Sequence, residues 1–272
     1  MKKFRKIIRV LLFLVFFAIA AYSGWKLYGI RAEYEEGTDL YEELAEQFII
    51  AVEETSRAVE NTSASSESTE SATEPTKSVE EVLGAVDFEA LKKVCADVVA
   101  WIYCPGTPIN YPIVQAEDND YYLYRLINGQ QNKNGTIFMD FRNESDFTDW
   151  NTLVYGHNMN NGSMFGTLPD YVEQKFYNEH PIWYLMTEEK NYVIELVGGY
   201  VTPADSDSYA IPNDQAGRDY LYQKASTSST FESGVKVSGD DVLVTFSTCV
   251  YDYDNARYIL IGVLRKMEML GE

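Results

Sequence analysis

The pattern of apolar and polar residues divides the chain into three regions. Residues 1–30 begin with basic side chains and continue into an uncharged apolar run, VLLFLVFFAIAAYSGW, at 10–25. Residues 31–78 are acidic and then rich in Ser, Thr and Glu, whereas residues 79–272 alternate short apolar runs with turn-forming pairs such as Asn-Gly and Pro-Gly. This alternation predicts a mainly β domain in a closed or nearly closed barrel, an arrangement that removes exposed strand edges.

The apolar run at 10–25 predicts a membrane-spanning helix. Together with the apolar residues on either side, it reaches the roughly 17–25 residues that cross a bilayer. Lys and Arg cluster in residues 1–9, so we expect the N-terminus inside and the remainder of the chain outside. A cleaved signal peptide is the alternative, because Ala18-Ile19-Ala20 has the spacing of a cleavage site. The apolar run continues past that site, which favours a retained anchor.

Residues 32–81 carry 15 acidic and two basic side chains, a net charge of −13 out of the chain's formal −20. Apolar residues recur there at helical spacing, which predicts a stalk helix beside the membrane or, alternatively, a face for a partner helix. Its members are Tyr41, Leu44, Ala45, Phe48, Ile49 and Val52. The segment 61–78 has no large apolar residue, so it cannot offset its ordering entropy, and we expect a disordered tether.

The segment 241–266 carries the clearest chemical signal. Residues 242–248 and 257–264 are apolar and β-branched on either side of a polar turn, which predicts a β-hairpin. Cys249 ends the first strand and Arg257 begins the second, so the hairpin brings a thiol and a guanidinium to one rim. A permanent cation near a thiol favours the thiolate, which is the nucleophilic form.

One of the two histidines lies where a catalytic base is expected. His157 follows a short predicted strand at 152–155, in a Gly- and Asn-rich loop of the kind that carries catalytic groups at the rim of a rigid scaffold. His180 directly precedes Pro181, whose ring restricts it to an extended conformation, and we interpret it as structural. His157 is therefore the candidate base for Cys249.

These segments resemble the class B sortases, the cysteine transpeptidases that anchor surface proteins to the Gram-positive cell wall. The residues that carry the resemblance are Thr248-Cys249 at a strand end, Arg257 on the next strand, and His157 in YGHNM. Similar stretches lie at 97–115, 118–125, 134–143 and 162–171, so the resemblance covers about 86–264. It implies a closed sortase-type barrel of about eight strands with N-terminal helices. It also implies a helix in the loop before the catalytic-Cys strand. The polar segment 214–226 fits that helix, with Tyr220 and Leu221 facing inward.

The chemistry of these residues predicts acyl transfer. A Cys249 thiolate attacks a peptide carbonyl, His157 carries the proton, and Arg257 stabilises the oxyanion. In a sortase, the substrate is a sorting-signal peptide and the thioester passes to an amine of a cell-wall peptide. Ser247, which shares a strand face with Cys249, and the adjacent Thr248 are further candidates for binding substrate. We expect no cofactor and no metal, because the sequence has no CxxC or His-rich ligand spacing.

Two other functional classes stay open. One is a membrane-tethered cysteine peptidase that uses the same residues with water as acceptor, and the other is a non-catalytic cell-surface β domain. The acidic charge balance argues against nucleic acid, which requires a basic patch, and against a domain lying on anionic lipid. The number of cysteines is odd. We expect Cys95 and Cys104 to be buried free thiols, with a disulfide between them as the alternative.

Overall fold

The computed structural model describes residues 2–50 and 85–267, and a closed barrel forms its centre. Its strands are β1 (Ile49–Ile50), β2 (Ala85–Val86), β3 (Val98–Tyr103), β4 (Asn110–Val114), β5 (Ile137–Met139), β6 (Asn151–Tyr155), β7 (Ile182–Met186), β8 (Asn191–Pro203), β9 (Val242–Cys249) and β10 (Ala256–Lys266). β1 and β2 pair separately, and the other eight close in the order β10-β8-β7-β3-β4-β5-β6-β9. The expected closed eight-stranded barrel is confirmed.

The direction of three strands determines which loops meet. β6 pairs with β9 in parallel, from Asn151 opposite Leu243 to Tyr155 opposite Ser247. The carboxyl ends of both strands therefore lie at the same rim of the barrel. β10 runs antiparallel to β9, so its first residues return to that rim. This topology brings loops that are distant in sequence to one end of the barrel.

The barrel interior is filled by aromatic and branched side chains. Trp101, Trp183 and Phe246 are fully buried, and the rings of Trp183 and Phe246 stack with centroids 4.6 Å apart. Alternate residues of β10, including Ile259 and Ile261, instead form a second buried cluster on the outer face. This alternation is the two-residue period of a strand covered on both faces.

A helix covers that outer cluster. Short helices occur at Phe88–Val94 (α2) and Gln174–Glu179 (α3), and the covering helix is Gln215–Ser228 (α4). The expected helix in the loop before β9 is thus present, with Asp214 accepting the Gly217 amide at its N-terminus. Leu221 is buried as predicted, but the prediction for Tyr220 is wrong, because its ring is 54% exposed. Its hydroxyl donates to Asp207 on the neighbouring loop, which draws the ring to the surface.

The N-terminal helix, α1, runs from Lys2 to Phe48. Its apolar portion has the length and composition to cross a membrane, and the large apolar side chains between Leu11 and Tyr28 are exposed. An unbroken exposed apolar surface of this size is unfavourable in water. The N-terminal helix is therefore a candidate membrane span.

The end of α1 packs on the barrel. Tyr41, Leu44 and Phe48 are almost fully buried in the same core cluster as the barrel residues. The described part of the apolar stripe that we interpreted as a stalk thus packs on the protein's own barrel, whereas its last member, Val52, lies outside the described residues. The predicted tether at 61–78 lies outside the described residues. The boundaries of anchor (1–30), stalk and linker (31–78) and catalytic domain (79–272) stay predictions.

Candidate active site

A cavity of about 530 Å³ opens at the rim where β6, β9 and β10 meet. Its walls include the ends of these three strands, the turn Tyr121–Tyr124, which is a 3-10 helix, and the loop 204–209. All five residues that the sequence predicts for the site line this cavity: His157, Ser247, Thr248, Cys249 and Arg257. The structure therefore brings the predicted set together.

Cys249 and Arg257 are direct partners in the β9–β10 register. The Cys249 side chain is partly exposed, whereas the Arg257 guanidinium is held locally by donating from Nη1 to the Ala256 carbonyl at 3.0 Å. The loop after β6 is tied to the same strand end, because Asn158 Nδ2 donates to the Cys249 carbonyl at 2.8 Å. A thiol, a guanidinium and the histidine loop thus share one rim.

His157 is half-buried against the turn Tyr121–Tyr124. Its Nε2 lies 2.5 Å from the Leu123 carbonyl oxygen, and its ring lies 5.4 Å from the Tyr124 ring. A carbonyl oxygen only accepts, so the neutral ring carries its hydrogen on Nε2 and its lone pair on Nδ1. Burial lowers the pKa of His157 below its usual value, and the bond to Leu123 opposes that shift only in part. The ring is therefore neutral at pH 7 and able to act as a base.

Ser247 and Thr248 have different environments. The Ser247 hydroxyl lies 2.7 Å from the Tyr209 hydroxyl, inside the cavity wall. The Thr248 hydroxyl donates to the Gly156 carbonyl at 2.8 Å, and its side chain is buried. The Thr248 bond therefore joins β9 to the residue that precedes His157.

Sequence reasoning missed Tyr209 as a site residue. Its ring stacks on Tyr155 at 6.3 Å, and burial raises the pKa of its phenol to about 12. Tyr209 lines the same cavity as Cys249 and Arg257. No local periodicity or motif in DSDSYAIP identifies this tyrosine, because only closure of the barrel brings it to the rim.

A buried carboxylate supports the cavity wall opposite the hairpin. Asp140 is fully buried and accepts from Arg142 Nε and Nη2 at 2.8 Å, from Tyr155 Oη at 2.8 Å and from Asn119 Nδ2 at 3.0 Å. Burial by itself raises the pKa of Asp140, but the hydrogen bonds from Arg142, Tyr155 and Asn119 outweigh it and lower the pKa to about 2. The stretch NGTIFMDFRN was part of the family resemblance, but its sequence did not indicate this network.

Other candidate groups lie away from the cavity. His180 Nδ1 lies 2.9 Å from the Pro105 carbonyl and its ring packs on Phe176, in agreement with the structural interpretation. Cys95 and Cys104 are buried free thiols, as expected, and contact tyrosine hydroxyls. Within residues 2–50 and 85–267, no group of three His, Cys, Asp or Glu side chains is arranged to hold a metal ion.

No family model matches the chain. The chain is nevertheless similar to sortases B, both in sequence and in structure. The chain is 40% identical over 180 residues to sortase B of Listeria monocytogenes, covering 64% of this chain and 72% of that protein. It is 34% identical over 185 residues to sortase B of Staphylococcus aureus, covering 66% and 75%. A structure of the S. aureus sortase B-substrate complex aligns with a TM-score of 0.63 at 30% identity, covering 66% and 85%. A Bacillus anthracis sortase B complex aligns with a TM-score of 0.67 at 30% identity, covering 88% and 100%.

Proposed function

The chain belongs to the sortase B family of cysteine transpeptidases. On that premise, we propose that it cleaves the C-terminal sorting signal of secreted surface proteins through a thioester on Cys249. The acyl group then passes to an amine of a cell-wall peptide. The observation that carries the proposal is the convergence of Cys249, His157 and Arg257 on one cavity at the barrel rim.

The first step is attack on the scissile carbonyl. A free thiol has a pKa near 8.5, so most of it is protonated at neutral pH and a base is required. His157 is neutral and accepts the proton, and we assign this task to Nδ1 because Nε2 donates to Leu123. The Cys249 sulfur then bonds to the carbonyl carbon, and the carbonyl oxygen becomes an oxyanion.

The oxyanion requires a positive partner, and Arg257 is the residue that β10 supplies. Its backbone is directly opposite Cys249, which supports the proposal that its guanidinium stabilises the negative charge that develops there. Such preorganised charge stabilises the transition state more than the ground state. Collapse of the intermediate breaks the C–N bond, and the imidazolium of His157 donates its proton to the leaving amine. The product is a thioester on Cys249.

In the second step, an amine replaces the first leaving group. The amine of a cell-wall peptide attacks the thioester carbon, and neutral His157 now takes the proton from the attacking nitrogen. The Cys249 thiolate leaves and the peptide bond forms. The Ser247 hydroxyl lies 2.7 Å from the Tyr209 hydroxyl on the cavity wall, which supports its proposed role in binding substrate. The Thr248 hydroxyl donates to the Gly156 carbonyl before His157, and we propose that it supports substrate binding through this bond.

The N-terminal helix supports a cellular location for this reaction. We propose that residues 1–30 hold the enzyme in the cell membrane as a single span. The basic cluster in residues 1–9 favours an N-terminus inside and a catalytic domain outside. There the enzyme meets both secreted proteins and cell-wall peptides.

An acceptor-dependent assay tests the proposed transfer. The full chain in detergent is incubated with sorting-signal peptides, with and without an amine acceptor, and products are identified by mass spectrometry. Transfer predicts a ligated product whose yield rises with amine concentration and which Cys249→Ala abolishes. Hydrolysis at every amine concentration would identify a peptidase, and no turnover with any peptide would favour a non-catalytic surface domain.

A further inference from the structure

The last part of α1, residues 33–48, is bound to the loop that follows the turn Tyr121–Tyr124, and Leu123 of that turn lines the cavity. We call residues 33–48 the docking segment and residues 125–136 the adjoining loop. The carbonyls of Glu33 and Tyr34 accept from Asn132 Nδ2 at 2.8 Å and Asn134 Nδ2 at 3.2 Å. Asn132 is nearly buried and Asn134 is fully buried. The two hydrogen bonds to the helix are therefore part of the protein interior.

Tyr41 provides the central contact of the docking segment. Its side chain is 1% exposed, and its hydroxyl lies 2.8 Å from both the Gly135 carbonyl and the Thr136 hydroxyl. Thr136 in turn donates to the Arg125 carbonyl at 2.8 Å. A buried hydroxyl that loses its partners is unfavourable, so this bond fixes the helix against the adjoining loop.

The adjoining loop holds the turn to which His157 is bonded. Thr136 N donates to the Tyr122 carbonyl at 3.0 Å, and Asn132 N donates to the Tyr124 carbonyl at 3.1 Å. Between these two anchored residues lies Leu123, whose carbonyl bonds His157 Nε2. Tyr41 is therefore connected to the His157 ring through Thr136 and the turn.

A second set of contacts connects Tyr41 to the backbone of His157. The Tyr41 ring packs edge-on against Tyr111 with centroids 5.5 Å apart. The Tyr111 hydroxyl accepts from Met164 N at 3.0 Å, and the neighbouring Phe165 N donates to the His157 carbonyl at 2.9 Å. One buried side chain of the docking segment thus supports both the ring and the main chain of His157.

Gly37 makes this close packing possible. A Cβ at this position would lie 2.5 Å from Asn134 Nδ2 and 2.8 Å from Asn134 Cγ. Glycine is less favourable than alanine in a helix interior. Its presence here is explained by the approach of the helix to the adjoining loop.

From these contacts, we infer that the docking segment is a positioning element for His157, acting through Gly37 and Tyr41. The inference rests on the proposed role of His157 in acyl transfer. It assigns the anchor helix a part in arranging the site, besides its proposed role in holding the enzyme at the membrane.

Two variants of the full chain in detergent test the inference. Tyr41→Phe keeps the buried ring and removes the hydroxyl, and Gly37→Ala improves helix propensity while displacing the helix from Asn134. For each we expect kcat to fall about three- to tenfold, the equivalent of one lost hydrogen bond, with KM within twofold. The NMR signals of the His157 ring, assigned by His157→Gln, should shift in both variants. The double variant Tyr41→Phe/Thr136→Val should have a kcat no lower than that of the more impaired single variant.

Lys133→Ala is the matched control. It removes the exposed pair with Glu33 between the same two elements but leaves Tyr41 and Thr136 intact, so kcat and the His157 signals should not change. Unchanged His157 signals in both Tyr41→Phe and Gly37→Ala, with wild-type kcat, would overturn the inference and leave the proposed function standing. If the wild-type chain turns over no peptide, the proposed function fails, and the NMR signals still decide whether the docking segment positions the ring.

Discussion

The Nε2 atom of His157 lies 2.5 Å from the carbonyl oxygen of Leu123. This contact orients the ring and determines its neutral tautomer, because a carbonyl oxygen accepts a hydrogen and cannot donate one. On the proposed mechanism, the nitrogen that exchanges protons is then Nδ1. The bond also makes the base depend on a turn that is 34 residues away in the sequence.

The titration of His157 follows from its burial. Burial disfavours the imidazolium and lowers its pKa, with partial opposition from Leu123. We expect an NMR titration of the ring to give a midpoint below the ordinary histidine value of about 6.5. Since the unfolded chain binds this proton first as the pH falls, the free energy of unfolding should decrease below about pH 6.5. A midpoint above the ordinary value would contradict the assignment of the shift to burial.

Replacement of Arg257 tests the oxyanion role. Arg257→Lys keeps the charge but loses the planar set of donors, and we expect kcat/KM to fall by about 10²–10³-fold. Arg265→Lys is the control on the same strand, because Arg265 bonds Glu195 and lies outside the cavity. Near-native turnover in Arg257→Lys, measured by peptide cleavage, would contradict the assigned role.

The buried carboxylate of Asp140 should stabilise the cavity wall. Asp140→Asn removes a charge that Arg142, Tyr155 and Asn119 hold in place, and we expect the free energy of unfolding to fall by about 1–3 kcal/mol. Because the pKa of Asp140 is lowered to about 2, its stabilisation is present above about pH 4 and is lost as the pH falls toward 2.

Chemical denaturation of Asp140→Asn at pH 7 and at pH 3 measures this contribution. The difference from wild type should shrink at the lower pH. Glu188→Gln, which removes one partner of the exposed Lys92–Glu188 pair, should change stability by less than about 0.5 kcal/mol. Equal unfolding free energies for wild type and Asp140→Asn at pH 7 would show that the hydrogen bonds to Asp140 do not stabilise the protein.

The hairpin that carries Cys249 and Arg257 and the loop that carries His157 are predictable from the sequence, because residues close together in the chain determine them. The hairpin around Cys249 follows from two β-branched runs and a polar turn, and its register places Arg257 opposite Cys249. The His157 loop follows from a strand that ends in Gly and Asn residues. The long-range parallel pairing of β6 with β9, which brings the two loops together, left no such local pattern.

Local sequence patterns do not determine which other surface an apolar face packs against. Tyr41 and its helical neighbours have the spacing of a packed face, but spacing does not specify whether a stalk partner or the protein's own barrel covers it. Tyr220 and Leu221 are adjacent on one helix, and only Leu221 packs into the outer apolar cluster, while Tyr220 bonds Asp207 at the surface. Asp140 and Tyr209 likewise acquire their places in the site only when the barrel closes.

The three thiols should differ sharply in reactivity. Cys249 is partly exposed, whereas Cys95 and Cys104 are buried, and burial raises the pKa of Cys104 to about 11. At pH 7, iodoacetamide should therefore modify Cys249 first in the folded protein, and all three thiols in denaturant. Peptide mapping by mass spectrometry measures each site. Modification of Cys104 as fast as Cys249 in the folded state would contradict this order.

The most direct test of the account is to trap the acyl-enzyme. The full chain is mixed with a library of sorting-signal peptides without an amine acceptor, quenched in acid, and analysed by intact-protein and peptide mass spectrometry. We expect an acyl adduct on Cys249 that hydroxylamine releases and that is absent from Cys249→Ala. Peptide cleavage by Cys249→Ala, or an adduct on Cys95 or Cys104 instead, would contradict it.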